Sequence, residues 1–137
     1  MTTDSIAIAR GTLLELAEGR LVLGVPGTEY RLHLVPTISH EEITTPVGKR
    51  IRGEIVAEAL KINRERGGGG FIEPVWGEPR IVGGKVLAVE AGRVLVEAAV
   101  PMWVVLDGAG QSATDFAAGQ MINFYVRSGS RFRPVRG

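Results

Sequence analysis

The chain has 137 residues, 45% of them hydrophobic and 23% charged, with a formal net charge of +1. This is ordinary globular composition, enough for one domain or two very small ones. It contains no cysteine, which excludes disulfides, thiolate metal sites and cysteine nucleophiles and fits a reducing compartment.

Nineteen glycines and seven prolines predict many turns and many short strands. The opening MTTDSIAIAR has an acid at Asp4 and no long apolar core, so it does not read as a signal peptide. No apolar run approaches the roughly 18 residues of a membrane span. The expectation is a cytoplasmic protein with no membrane partner.

Residues 6–17 read as a first strand with Thr12, Leu14 and Leu16 on one face. Glu18-Gly19 is a turn, and residues 20–25 resume with Leu21, Leu23 and Val25 facing one way. Glycine in a short loop between alternating apolar runs supplies the positive φ that a tight hairpin requires. After Pro26-Gly27, residues 29–35 alternate again, completing a three-stranded meander. In PTISHEEITTPV (36–47), Ser39 and Glu42 have capping-box spacing, and the prolines leave room for one or two helical turns. Residues 49–62 return to alternation, with Ile51, Ile55, Ala57 and Ala59 on one side and a one-residue slip near Leu60 that predicts a bulge. Residues 63–70 read as a hairpin tip, and residues 71–75 as a short fifth strand with Pro74 near its end.

The second half repeats this order. Residues 80–89, 93–98 and 102–107 form another meander, and Ser112 and Asp115 again have capping-box spacing. Residues 120–127 make a fourth strand, Ser128-Gly129-Ser130 a tip and residues 131–135 a fifth strand. Residues 11–34 align with 84–107 without a gap at an offset of 73, sharing Gly11/Gly84, Leu14/Leu87, Gly19/Gly92 and Arg20/Arg93. Farther on, Gly48 corresponds to Gly119 and Pro74-Val75 to Pro134-Val135. One β unit used twice is the reading that follows; the alternative is a single ten-stranded sandwich or barrel whose halves are alike by accident.

Three meander strands, a short helical connector and a two-stranded return resemble the OB fold, a five-stranded Greek-key barrel. The resemblance implies an all-β protein of two such barrels, residues 1–77 and 78–137, packed together. The tandem is also similar to the duplicated molybdate-binding Mop-type proteins, through GTLLELAEGR as an opening hairpin and VGKRIRGEIVAEALKI as a closing strand. The serine-arginine-asparagine opening motif of that family is replaced here by Ala7-Ile8-Ala9-Arg10. Oxyanion binding is therefore not carried over to these positions.

The two meanders differ on one face. Arg20, Val22, Arg31 and His33 read as outward in the first; their counterparts are Arg93, Leu95, Val104 and Leu106, with Met102 beside them. Val94, Val96, Trp103 and Val105, read as inward, are apolar too, and residues 120–127 set Met121 and Tyr125 opposite Ile122, Phe124 and Val126. A strand apolar on both faces is covered on both sides. Leu95, Met102, Val104, Leu106, Met121 and Tyr125 are thus candidates for an interface with the first unit, another copy or a protein partner.

Ten of the sixteen basic residues fall in residues 49–66 and 127–136, at equivalent places in the two halves. Lys49, Arg52, Lys61, Arg64, Arg66, Arg127, Arg131 and Arg133 are candidates for a single-stranded nucleic-acid site. Arginines beside aromatics, as in Arg131-Phe132-Arg133 and Tyr125-Val126-Arg127, suit tracking a phosphate backbone and stacking on bases. The plainer alternative is that long hairpins carry charge for solubility.

The search for chemistry returns little. His33 and His40 are in no metal-ligand spacing, and adjacent His40, Glu41 and Glu42 are poorly placed to converge on one ion. Gly108-Ala109-Gly110 is not a dinucleotide fingerprint, and the tetraglycine at 67–70 lacks the lysine-serine/threonine ending of a phosphate loop. Trp76 and Trp103 read as packing residues. No catalytic residue, metal or cofactor is expected. Three readings follow: a non-enzymatic module binding nucleic acid through basic strand 4–5 hairpins, an interaction protein self-associating through the apolar outer face of the second unit, or an enzyme or small-anion binder built at an interface that no sequence pattern shows.

Overall fold

A computed structural model of the chain describes residues 3–106 and 110–135; the features expected at Asp107, Gly108, Ala109 and Arg136 lie outside the described residues. A single-turn helix α1 (Thr3–Ile6) precedes β1 (Ala9–Ala17), β2 (Arg20–Gly24) and β3 (Arg31–Pro36). A 3-10 turn at His40–Glu42 leads to the long β4 (Arg50–Glu65). Two short strands follow, β5 (Phe71–Glu73) and β6 (Trp76–Gly77), then the second meander β7 (Ile81–Glu90), β8 (Arg93–Glu97) and β9 (Pro101–Leu106). After a second 3-10 turn at Ala113–Asp115 come β10 (Met121–Val126) and β11 (Arg131–Pro134). The protein is all-β, with these strands in one mixed sheet. No helix of the described residues is long and apolar enough to cross a membrane.

The pairings close into two circuits that share β4. One runs β1-β2-β3-β11-β4 and back to β1, the other β4-β10-β7-β8-β9 and back to β4. Within each circuit every pair is antiparallel but one, β3 with β11 in the first and β9 with β4 in the second. The first half of β4 pairs with β1 and β11, and its second half with β9 and β10.

Both expected strand 4–5 hairpins are therefore corrected. Residues 63–65 do not turn; they extend β4, which has no glycine or proline from Glu54 to Glu65 to break it. β5 pairs with β7 and β6 with β3, neither with β4. Likewise β10 and β11 are both antiparallel to β4, end to end, so Ser128-Gly129-Ser130 is a jog between collinear strands and not a reversal. The first strand also starts later than its alternation suggested. Ile6 ends α1, and Ile6 and Ala7 pack with Leu95 and Trp103, a tertiary contact that overrides local β pattern.

The offset seen in sequence recurs in geometry. β1 has a bulge between Leu13 and Glu15 against β2, and β7 has one between Val86 and Ala88 against β8. The bulge splits the face expected to carry Thr12, Leu14 and Leu16, because Leu13 pairs with Leu23 and Leu16 with Leu21, so Leu13 and Leu16 both pack on the core. A Cβ at Gly11 would collide with the carbonyl of Gly24, and one at Gly84 with the carbonyl of Glu97. The Gly48 N–H donates to the Leu13 carbonyl at 2.6 Å, and the Gly119 N–H to the Val86 carbonyl at 2.8 Å. Each 3-10 turn is tied by its acid, whose carboxylate accepts the N–H of Ser39 (Glu42, 3.3 Å) or of Ser112 (Asp115, 2.9 Å).

One apolar cluster runs through both circuits. Leu21, Leu23, Leu32 and Leu34 of the first half and Val86, Val94, Val96 and Phe124 of the second meet Ile55, Ala57 and Ile62 of β4. Phe132 of β11 is fully buried among them, over a glycine at 53 whose absent Cβ leaves room for its ring. Replacing Phe132 with alanine is expected to cost about 3–5 kcal/mol in urea unfolding. Gly84→Ala is expected to cost about 1–3 kcal/mol, since the obstruction is backbone that a rotamer change cannot relieve.

A basic seam along the shared strand

The buried positions Ile51, Gly53, Ile55, Ala57 and Ala59 place the alternate residues of β4 on its outer face. Beside them lie β11 and then β10. Arg133 stands opposite Glu54 and Arg131 opposite Val56, while the Arg127 N–H donates to the Glu58 carbonyl at 2.9 Å. Phe132 and Val126 face inward, which turns their neighbours Arg131, Arg133 and Arg127 outward. Lys61 is exposed on the same stretch of β4, and Tyr125 of the adjoining strand is 60% exposed. Lys61, Arg127, Arg131 and Arg133, which the sequence divides between two hairpins, are thus brought to one seam.

Of the other four candidates, Arg52 lies on the same outer face, two residues before Glu54. Lys49, just before β4, is on the order of 50–55 Å along the strand from Arg64 and Arg66 at its far end, at a rise of about 3.3 Å per residue. Arg64 is committed to its own half: it donates to the Asp115 carbonyl at 2.6 Å and lies 5.0 Å over the Phe116 ring.

Arg133 is committed too. Its guanidinium pairs with Glu54, which is only 8% exposed. Glu54 also accepts the indole N–H of Trp103 at 3.2 Å, and Arg93 stacks on that indole at 4.0 Å. Burial pushes the Glu54 carboxyl up, but the hydrogen bonds from Arg133 and Trp103, with the charges of Arg133 and Arg93, outweigh it and hold the group below its ordinary 4.5. These four side chains tie β4, β8, β9 and β11 together.

The jog between β10 and β11 has a chemistry of its own. Glu78 accepts the Ser128 hydroxyl at 2.9 Å and the Gly129 N–H at 3.0 Å, fixing the turn. Ser130 is 4% exposed and its hydroxyl has no partner among the described residues. It lines a cavity of about 90 Å³ with Val56, Glu58, Arg127 and Arg131. A buried polar atom without a partner costs free energy unless something satisfies it. Sequence reading missed Ser130 and Glu78, because a serine-glycine-serine run reads as an exposed tip.

The face assignment in the second meander is corrected by its register. Leu95 pairs with Trp103, and Val94 with Val104. Trp103 therefore shares the outer face with Leu95, beneath Ile6 and Ala7, while Met102 and Val104 belong to the main core. Leu95, Met102 and Val104 are fully buried within the chain, Leu106 and Met121 are half-buried, and Tyr125 is exposed. Trp76, expected as packing, is 60% exposed; Arg31 covers one face of its ring at 4.5 Å, and the indole N–H donates to the Glu29 carbonyl at 2.9 Å.

No protein-family model matches the chain, and no curated protein matches it.

The linkage at Glu54 has a definite sign. A carboxyl held low in the folded state contributes stability above its unfolded value and loses it as pH falls through the folded value. Glu54→Gln is expected to cost about 2 kcal/mol at neutral pH. In denaturant titrations the gap to the parent protein should narrow only below the ordinary 4.5.

Proposed function

We propose that this protein is a non-enzymatic module that binds single-stranded nucleic acid along the β4 seam. The single observation that carries the proposal is the pairing of β10 and β11 with β4, which gathers Lys61, Arg127 and Arg131 beside the exposed Tyr125. Arg127 meets β4 at Glu58 and Arg131 meets it at Val56, two residues or about 7 Å apart along the strand, and cations at such intervals beside an aromatic ring suit an extended backbone with unstacked bases. The unpartnered hydroxyl of Ser130, between Arg127 and Arg131, supports the jog as the point where one phosphate would be held.

The architecture behind this reading is a duplication. Each circuit has the strand order of an OB-like barrel, first-second-third-fifth-fourth, with the third and fifth strands parallel. The first unit takes β11 as its fifth strand and the second takes the far half of β4. In this account β4 is a fourth and a fifth strand run together, and β10 with β11 is the same pair divided by the jog. The repeated bulges, glycine approaches and tied 3-10 turns support it, since packing alone does not require them to fall at one offset.

A labelled thymidine oligonucleotide, titrated by anisotropy at low salt, is expected to bind the parent protein. Lys61→Ala, Arg127→Ala and Arg131→Ala combined should weaken binding by about tenfold or more. The salt dependence should flatten by about 0.7 in logarithmic slope for each phosphate no longer neutralised. Arg133 and Arg64 are left in place because their removal would disturb folding. Ser130→Ala separates the site from the scaffold: it should leave stability unchanged or raise it by about 1 kcal/mol, yet weaken oligonucleotide binding. Absence of binding by the parent protein overturns the proposal.

A further inference from the structure

Beside Tyr125 and Lys61, the outer face of the far half of β4 carries a pair of amides. Phe124 pairs with Ile62 and Val126 with Ala59, so Leu60 and Lys61 stand together opposite Tyr125. Ile62 faces the core, which places Asn63 and Glu65 on the outer face with Lys61. On β10, Ile122 and Phe124 are buried, which turns Asn123 to the same side as Tyr125, two residues or about 7 Å away. Asn123 pairs with Asn63 on one side and with Gly83 of β7 on the other. A Cβ at Gly83 would strike the Phe71 ring, so that ring lies over the glycine on the same face, one strand from Asn123.

The amides are ordered by a carboxylate. Asn63 donates through Nδ2 to the Asn123 side-chain oxygen at 3.2 Å, and Asn123 donates through Nδ2 to Glu65. A carboxylate only accepts, so Asn123 must present its nitrogen to Glu65 and its oxygen to Asn63. Asn63 in turn presents its nitrogen to that oxygen. The remaining N–H and the carbonyl oxygen of the exposed Asn63 amide have no other bond among the described residues. They form a donor beside an acceptor, held in one orientation.

We infer that Asn63 reads one base of the bound strand, and that this base is adenine. The inference rests on the single-strand reading of the seam and adds base identity to it. An amide meets a base edge through a paired donor and acceptor. Adenine offers that pair on two edges, its 6-amino group with N7 and with N1, whereas the N7 edge of guanine has acceptors only. In a single strand both edges are open to a side chain. Tyr125 supplies the ring for stacking, Lys61 the charge for an adjoining phosphate, and the half-buried Phe71 a ring for the next base.

Labelled oligodeoxyadenylate and oligothymidylate of equal length, titrated by anisotropy against the full chain at one salt concentration, test this. The adenine strand is expected to bind about tenfold more tightly. A strand in which purine, which lacks the 6-amino group, replaces adenine should fall back to the thymidine affinity. Asn63→Ala should weaken the adenine strand by about tenfold and so abolish the preference, with urea unfolding to check that the variant is folded. The purine strand leaves the protein untouched and keeps the test decisive if that variant is not. Binding of the thymidine strand with no preference for adenine overturns the inference and leaves the reading of the seam standing. Binding of neither strand overturns both. Tighter binding of oligodeoxycytidylate or oligodeoxyguanylate overturns the choice of adenine, and a preference that survives Asn63→Ala overturns the role of the amide.

Discussion

Everything in this fold depends on β4 running unbroken. Because twelve residues from Glu54 to Glu65 offer no glycine or proline, the strand cannot turn back on itself, and its two halves must find partners in different circuits. An antiparallel neighbour is needed along its full length, and β10 and β11 supply it end to end. Interior positions of β4 are small on either side of Ile55 where the circuits adjoin, with Gly53 before it and Ala57 and Ala59 after it. Larger side chains there would hold the two apolar layers apart. Charge at the seam is a by-product of this arrangement, since outward residues of three strands come within reach of one another only when the strands pair.

The same constraint explains how much could be read beforehand. Alternation in residues 20–25 and 93–98, turns at Gly19 and Gly92 and the spacing of Ser39 with Glu42 are local patterns, and each corresponds to an element. Pairing between distant segments is not local. Residues 49–62 look the same whether they end at a tip or continue, and Ser128-Gly129-Ser130 permits a jog as readily as a reversal. Bulges defeat simple alternation: one extra residue near Leu14 moved Leu13 to the core. In the second meander every residue from Met102 to Leu106 is apolar, so alternation gave no phase, and only the pairing of Leu95 with Trp103 sets it. Among the candidate basic residues, sequence showed where they cluster along the chain but not that Arg64 and Arg133 are engaged by the chain itself.

Glu54 shows how a polar group can serve where an apolar one would pack. It sits among four strands from both circuits, taking a guanidinium from β11 and an indole N–H from β9. Buried ion pairs contribute little net stability compared with apolar replacements, and their attested value is in fixing register. Here the geometry is directional: a slip of β11 by one residue would turn Arg133 inward and Phe132 outward.

The crossing of the last strand into the first circuit has a consequence for biosynthesis. As the chain leaves the ribosome, β1, β2, β3 and the first half of β4 emerge well before β11; β6 covers the Arg31–Leu32 end of β3, but the Val35–Pro36 end keeps an open edge until residues 131–134 are made. The far half of β4 waits in the same way for β9 and β10. Neither circuit can close on its own half, so vectorial folding stalls until nearly the whole chain is present. Loops that join such distant partners are slow to form, and the unpaired edges exposed meanwhile are where a chaperone, or a neighbouring nascent chain, would meet this protein.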